Sequence, residues 1–492
     1  MISSSKPIST QSNFIFKIPG KNLEENNEVF TVKKIIHEFL DKYDFLLENE
    51  KRKVGRHKTY KTDELLGIFV LGVLNEKTTY RKLQKWINNN DEACNYILNN
   101  KRPSISTMSR FFTNNKLLIY LLFEFTIHKG IELNLIGFEY VTIDGTILKA
   151  NTSRKRLIKI EELNYLEKLI ENFYKTENRE NILFKMQKYY FGDLLDEANE
   201  YLINEIENNL NKEAVNLLKK LIFSPEEKNA ALELIQILKD NYDGKHTISV
   251  TDPECRWMKD KKDNMGLNYN YQAAIDGKND FIVGQRLVNN PTDHHQLIPM
   301  IETVKMNLSR HPIYYLADNG FLTTNAVEYL FKHNIKAILP DRTESTKLKD
   351  KDSSNDFHKT KFKYNWVEDI YICPNNKILK YQNNRKINKV LYRVYSTNDC
   401  KTCNCLKKCT KGSKREIFKL AHPLRIKMNE NYHSDFGREL YKKRAHTGES
   451  YFGTLKEARN FSGIKRRGIK DAEIELTLQA IAHNIRIIHN NQ

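Results

Sequence analysis

The chain has 492 residues, more than one hydrophobic core of ordinary size accommodates, so two or three domains, or one domain with large insertions, are expected. Hydrophobic residues make up 40% and aromatic residues 11%, the aromatic ones spread along the whole length, which excludes extended disorder outside the termini. A net charge of +18 calls for a polyanionic partner, and the longest apolar runs, Leu65 to Leu74 and Leu117 to Phe123, fall far short of the roughly 20 residues that span a bilayer, which favours nucleic acid over a membrane.

The opening MISSSKPISTQSNF has no apolar segment behind a basic start, so a reducing, cytoplasmic setting without disulfides is expected. Residues 1–23 are polar and Ser-rich and read as a flexible tail. A helical region over 24–135 follows. It begins with helical apolar spacing from Val29 to Leu47 and continues through TDELLGIFVLGVL, TTYRKLQKWI, DEACNYIL and, after the breaker Pro103, SISTMSRFF. The last of these carries Ser106, Thr107, Ser109 and Arg110. It reads either as a recognition helix turning hydroxyls and a guanidinium to DNA, or as a bundle helix with a solvated polar face.

The run FEYVTI, Phe138 to Ile143, is a short strand ending at Asp144-Gly145, which puts Asp144 at a C-terminal strand end, where open α/β sheets place their sites. Residues 155–242 have apolar residues every three to four positions among charges and read as a helical insertion. Strands return at Asn270 to Ile275 and Phe281 to Val288, joined by the hairpin signal Asp276-Gly277-Lys278-Asn279. A helix from His294 to Leu308, a strand from Ile313 to Ala317, a helix from Thr324 to His333 and a strand from Lys336 to Leu339 complete a β-α-β pattern. The segments 136–154 and 243–340 therefore form the first parts of an α/β core. Residues 341–430 are a second, β-rich insertion containing cysteines, and 431–492 supply C-terminal core helices, one from Ser434 to Arg459 and the last from Ala472 to His489.

Asp144 and Asp318, the latter in YYLADNGF, both stand at strand ends, and Glu449 lies on a helix able to pack across the same edge. Three hard oxygen ligands in one place suit Mg²⁺ or Mn²⁺, and two such ions stabilise the entering and leaving oxygens of an in-line phosphoryl transfer. Asp252, Asp276 and Asp293 read as supporting or turn residues.

These blocks resemble the DDE transposases of bacterial insertion sequences, in the order GRHKTYKTDELL, VTIDGTILKANTSR, VTDPECRWMKDKKDNMGLNYNYQAAID, YLADNGFLTTNAVEYL and YKKRAHTGESYFGTLKEARNF. The resemblance runs from about residue 50 to 489. It implies a ribonuclease-H-like core, catalysis by Asp144, Asp318 and Glu449, and a tyrosine-arginine-glutamate-lysine signature carried by Tyr441, Arg444, Glu449 and Lys456, whose Tyr, Arg and Lys grip DNA phosphates. Tyr441, Glu449 and Lys456 are spaced by near-whole helical turns, but Arg444 is one residue out of the family register, roughly 140° from Glu449 around an ideal helix. Lys443 and His446 are alternative basic groups. The resemblance further implies end cleavage and strand transfer into target DNA, a homodimer on DNA because two ends must meet, association with the bacterial nucleoid when bound, and a Trp that stacks on a flipped base, for which Trp366 is the candidate.

Cys373, Cys400, Cys403 and Cys409 resemble the Cys-rich insertion of one branch of that family, with Cys405 as a surplus thiol. A structural Zn²⁺ and free thiols in a Lys-rich loop are the two readings. The alternative functions are an inactive or domesticated transposase that only binds DNA, and a metal-dependent DNA nuclease without strand transfer.

Overall fold

The computed structural model describes residues 17–18, 21–22, 27–43, 59–89, 91–153, 156–175, 210–214, 216–217, 228–260, 262–340, 356–365, 367–387, 390–458, 461 and 463–492. Trp366 and most of 176–227 lie outside them. The chain is mixed α/β. A short antiparallel pair, β1 (Lys17–Ile18) and β2 (Lys21–Asn22), precedes a run of helices: α1 (Glu28–Lys42), α2 (Thr62–Leu74), α3 (Tyr80–Asn88), α4 (Glu92–Leu98), α5 (Ile105–Asn114) and α6 (Lys116–Glu132). Their starts follow local chemistry. Asn27, Thr79, Asp91 and Ser104 each accept a backbone N–H in the first turn, satisfying donors that a helix start leaves open.

The central sheet is built from β3 (Tyr140–Lys149), β6 (Arg256–Lys259), β7 (Met265–Asp276), β8 (Phe281–Val288), β9 (Tyr314–Ala317) and β10 (Ala337–Ile338). Its order is β10-β9-β3-β7, with β6 and β8 both on the far edge of β7. The β9 strand is parallel to β3 and β10, whereas β7 is antiparallel to β3, β6 and β8. The hairpin expected at Asp276 to Asn279 joins β7 to β8.

One expectation fails: β3 does not stop at Ile143. It loses its parallel neighbour β9 there, but its ladder with β7 continues to Lys149↔Asn268, so Asp144-Gly145 lies inside a strand rather than at a turn. Elsewhere the elements fall close to where periodicity puts them, with α9 at Leu297–Leu308 and α10 at Thr324–Lys332.

Three further elements complete the core: α12 (Pro423–His433), α13 (Asp435–Gly453) and the last helix, α14 (Ile469–Asn490); α11, Leu406–Cys409, is a single turn. The α13 helix packs on β3, β7 and β9, and α9 on β7 and β8. The middle strand β7 is thereby buried almost throughout, which explains its mainly apolar and aromatic sequence. The α14 helix packs against α1, α2, α6 and β8, so one hydrophobic core runs through both the helical region and the sheet. Buried Asn484 makes that join specific. Its Oδ1 accepts Ile282 N–H (2.9 Å) while its Nδ2 donates to Ile282 C=O (3.0 Å) and to Thr126 (3.2 Å), covering backbone groups of the edge strand.

Two satellites interrupt the core. Helices α7 (Ile160–Lys175) and α8 (Lys228–Asp240) pack together above a two-residue pair, β4 (Leu157–Ile158) with β5 (Ile248–Ser249), around Ile158, Leu163, Leu166, Ile235, Leu238 and Ile248. The second is an antiparallel sheet in chain order: β11 (Lys363–Asn365), β12 (Ile370–Ile372), β13 (Ile378–Ile387), β14 (Val390–Ser396) and β15 (Glu416–Leu420). It has its own small core of Phe362, Leu379, Tyr395 and Ile417.

Among the described residues no helix is long and apolar enough to cross a membrane.

Candidate active site

The site is set first by strand register. Parallel pairing of β3 with β9 ends at Ile143↔Ala317, so Asp144 and Asp318, the next residue on each, stand side by side on strands about 4.8 Å apart. Asp318 leaves its strand to cap the turn Asn319–Phe321, its Oδ1 accepting Gly320 N–H at 2.8 Å. Asp144 Oδ1 accepts Gly145 N–H at 2.9 Å.

Arg444 of α13 reaches both carboxylates. Its Nη2 lies 3.1 Å from Asp144 Oδ1 and 3.8 Å from Asp318 Oδ2, with only 16% of the side chain exposed. Burial works against the guanidinium charge, but Asp144, Tyr441 and Asp318 outweigh it and hold the Arg444 pKa above its ordinary value. Its Nε is buried and makes no hydrogen bond among the described residues. Although one residue out of the family register, Arg444 is the basic group of this helix that reaches the aspartates, whereas Lys443 lies 3.6 Å from Glu139 and His446 is exposed. The reason is that Arg444 and Gly448 are four apart and share one helix face. At Gly448 a Cβ would stand 3.1 Å from Asp144 Oδ2, so the helix backbone itself abuts the aspartate.

Glu449 follows Gly448 within α13, and its side chain lies outside the described residues. Tyr441 packs edge-on against Tyr432, and burial pushes its hydroxyl up to about 12. Lys456 does not continue the α-helical phase, because Thr454–Ala458 winds as a π turn; its Nζ donates to Thr146 Oγ1 of β3 at 2.6 Å. The simple face shared by Tyr441, Glu449 and Lys456 is thus corrected at its Lys end.

A further carboxylate, Asp293, stands in the same place. Its Oδ1 accepts from Gln272 Nε2 (2.6 Å) and Asn270 Nδ2 (3.0 Å), two residues apart on one face of β7. Gly145 makes room for it, since a Cβ there would lie 2.5 Å from Asp293 Oδ1 and 2.6 Å from Gln272 Nε2. A Cβ on Gly320 would sit 2.9 Å from Asp318 Oδ1 and 3.4 Å from Asp293 Oδ2, so both carboxylates border the space over that glycine. Asn270 and Gln272 escaped the sequence reading; the available signal was polar amides alternating on an otherwise buried strand. Asp276 and Asp252 stand apart from this group. Asp276 ties Gly137, Phe138 and Lys278 N–H groups at a turn, and buried Asp252 accepts Tyr269 OH (2.6 Å) and Gly468 N–H (3.1 Å).

Asp144, Thr146, Lys259, Asp260, Asn270, Asp293, Asp318 and Arg444 line a cleft of about 560 Å³. A neighbouring cleft of about 630 Å³ shares Ile147 and Asp260 with it and adds Lys149, Lys262 and Lys456. Carboxylates in one and lysines along the other form an arrangement that can hold a cation beside a polyanion. Two aspartates already sharing one cationic group, with oxygen donors only, fit a hard divalent ion. Among the described residues no group of three His, Cys, Asp or Glu is gathered as a metal site, a set that does not include the Glu449 side chain.

The remaining expected residues are dispersed. On α5, Ser106 and Arg110 are exposed on one face while Met108 and Phe112 are buried, and the Ser106 and Thr107 hydroxyls bond the Ser104 cap at 2.9 and 3.0 Å. In the second sheet Cys373, Cys400, Cys403 and Cys409 are all described, and no three of them are gathered as a metal site. Burial pushes the Cys409 thiol up, with Cys400, Cys373 and Cys403 adding to the shift despite Arg415. A backbone N–H bond at Cys405 and the Asn375 amide hold Cys403 below its ordinary value.

No curated protein matches the chain. The family comparison reaches only the C-terminal part, which holds Tyr441, Arg444, Glu449, Lys456 and the clustered cysteines and begins downstream of both aspartates. Residues 372–489 are similar to the family model described as a transposase DDE domain.

Proposed function

We propose that the chain cleaves DNA at the ends of a mobile element and joins the released 3′-OH to target DNA, using Asp144, Asp318 and Glu449 on a ribonuclease-H-like core. The observation that carries this is the parallel register that sets Asp144 beside Asp318 with one cationic group between them. The position of α13, whose backbone meets Asp144 one residue before Glu449, supports the third carboxylate.

When bound, Mg²⁺ or Mn²⁺ would supply a water of lowered pKa and neutralise charge on the oxygens of in-line displacement. Asp144, Asp318 and Glu449 would hold it. Asp293, fixed through one oxygen by Gln272 and Asn270, keeps its other oxygen directed toward the same space and would orient a water or hydroxyl there. Arg444, Tyr441 and Lys456 bind the phosphates flanking the scissile bond, and the lysine-lined cleft guides the strand away from it. The 3′-OH released by hydrolysis is the nucleophile for the second transfer, so no covalent enzyme intermediate is required.

In this reading Ser106, Thr107 and Arg110 contact duplex DNA, Trp366 stacks on a flipped base, and Cys373, Cys400, Cys403 and Cys409 would be the ligands of a structural Zn²⁺. Two copies act together, one on each DNA end.

The test uses duplexes carrying the element's ends, with Mg²⁺. Asp144→Ala and Asp318→Ala are each expected to lower strand cleavage by about a thousandfold or more while leaving DNA affinity within about threefold, since binding rests on basic residues. Cleavage at wild-type rate by either variant would remove that residue from the site.

A further inference from the structure

The positive charge of the chain is concentrated. Between Lys359 and Leu420 there are sixteen Lys and Arg against four Asp and Glu, a surplus of twelve out of eighteen for the whole protein. The function proposed above places only the cysteines and Trp366 in this segment and leaves that surplus without a role.

The segment's sheet also has an unusual edge. The β12 strand pairs with β13 only at Ile378 to Lys380, and β15 pairs with β14 only from Tyr392 to Ser396. From Tyr381 to Ile387, β13 has β14 on one side and no strand on the other among the described residues. Every residue of that stretch is exposed. A bare edge of this length ordinarily invites pairing with another chain, and here it carries Arg385 and Lys386, which discourage it.

The side chains on this hairpin suit a different partner. Asn383, Asn384 and Lys386 are exposed, and Tyr381, Ile387 and Leu391 are 40%, 37% and 39% exposed beside them. Arg393 lies over the Tyr381 ring at 4.6 Å, and Arg385 is oriented by a two-pronged contact with Glu416 at 2.7 and 3.1 Å. Two strands about 4.8 Å apart with side chains attached match a major groove roughly 12 Å wide, and seven extended residues reach about 23 Å along it. Asn side chains can pair two-pronged with adenine, exposed apolar groups can meet thymine methyls, and lysines neutralise phosphates.

We propose that the β13–β14 hairpin is a two-stranded ribbon that enters the major groove of duplex DNA and reads sequence at the element's end through Asn384, which shares one face of the ribbon with Lys386 and Leu391, anchored on phosphates by Lys380 and Lys386. The proposal rests on the reading of the chain as a protein that acts on DNA ends, and it assigns recognition to a surface separate from the carboxylate site.

The experiment measures affinity of the full chain for an end duplex and for a shuffled duplex across a salt series, by fluorescence anisotropy. Asn384→Ala is expected to reduce preference for the end duplex by about tenfold while binding the shuffled duplex as wild type does, and Asn383→Ala, on the opposite face of the ribbon, to keep the wild-type preference. Lys380→Ala/Lys386→Ala is expected to weaken both duplexes together and to reduce the slope of log affinity against log salt by about two. Unchanged preference in Asn384→Ala and unchanged slope in Lys380→Ala/Lys386→Ala would overturn the proposal. So would light scattering showing that wild type self-associates and that the variants lose only this association, which would make the edge a contact between copies. Far-ultraviolet circular dichroism of each variant separates a lost contact from a lost fold. Asp144→Ala, assayed in parallel, distinguishes the two readings: if it still cleaves while Asn384→Ala loses preference, the carboxylate chemistry fails and the ribbon stands.

Discussion

Glu475 shows how a residue outside the site shapes the protein's behaviour. It lies on α14, 5% exposed, and its carboxylate accepts the N–H groups of Lys465 and Arg466 at 2.9 Å each, tying down the approach to the last helix. Burial outweighs those hydrogen bonds and pushes its carboxyl up to about 7. A carboxyl whose folded pKa is raised is best accommodated protonated, so its contribution is complete below the ordinary carboxylate range and is lost as pH rises through about 7. In Glu475→Gln that loss is absent. The stability difference between variant and wild type is expected to shift toward the variant by up to about 3 kcal/mol between pH 5 and pH 8, at about 1.4 kcal/mol per pKa unit. Urea unfolding at the two pH values checks it; a difference independent of pH would mean that the group ionises normally.

At the scale of elements, the site depends on how closely α13 approaches β3. Gly448 permits that approach, and Gly448→Ala adds a methyl 3.1 Å from Asp144 Oδ2. Alanine favours the helix by about 0.5–1 kcal/mol, so the variant is expected to melt no lower than wild type yet to cleave end DNA at least about tenfold more slowly, displacement of a reacting group being costly. Full activity would show that the helix position does not govern Asp144. The same approach explains what sequence made legible. Asp144 and Asp318 were readable because β-rich runs lead directly into each. The end of β3 was not: the strand was read as ending at Asp144-Gly145, whereas the lack of a side chain at Gly145 serves to admit Asp293 and Gln272 within the strand. The contact of Arg444 with both aspartates was not legible because periodicity gives an angle around an ideal helix, not the tilt of that helix over a sheet or the reach of a long side chain. Lys456 falls in a π turn that spacing alone does not reveal. Asn270 and Gln272 were hidden because their partner, Asp293, is distant in sequence.

At the scale of the molecule, α14 closes the chain onto the first helices and the edge of the central sheet, so the helical region and the sheet share a core. Removing residues 469–492 is expected to unfold both, read as loss of a cooperative melting transition; a truncated chain that melts as wild type does would show that the helix is dispensable. The satellites carry cores of their own and enter between core elements, which is how a long chain adds surface without breaking the central core. The claim that most needs testing is that three carboxylates from separated parts of the chain form one catalytic centre, because Asp144 and Asp318 lie upstream of the matched family segment and Glu449 inside it. Single-turnover cleavage of a preformed end complex in Mg²⁺, comparing Glu449→Gln with Glu457→Gln, addresses it most directly. Glu449→Gln is predicted to cut at least about a thousandfold more slowly than wild type with end binding unchanged, and Glu457→Gln to cut normally. Normal cutting by Glu449→Gln, or loss confined to Glu457→Gln, would contradict the three-carboxylate centre.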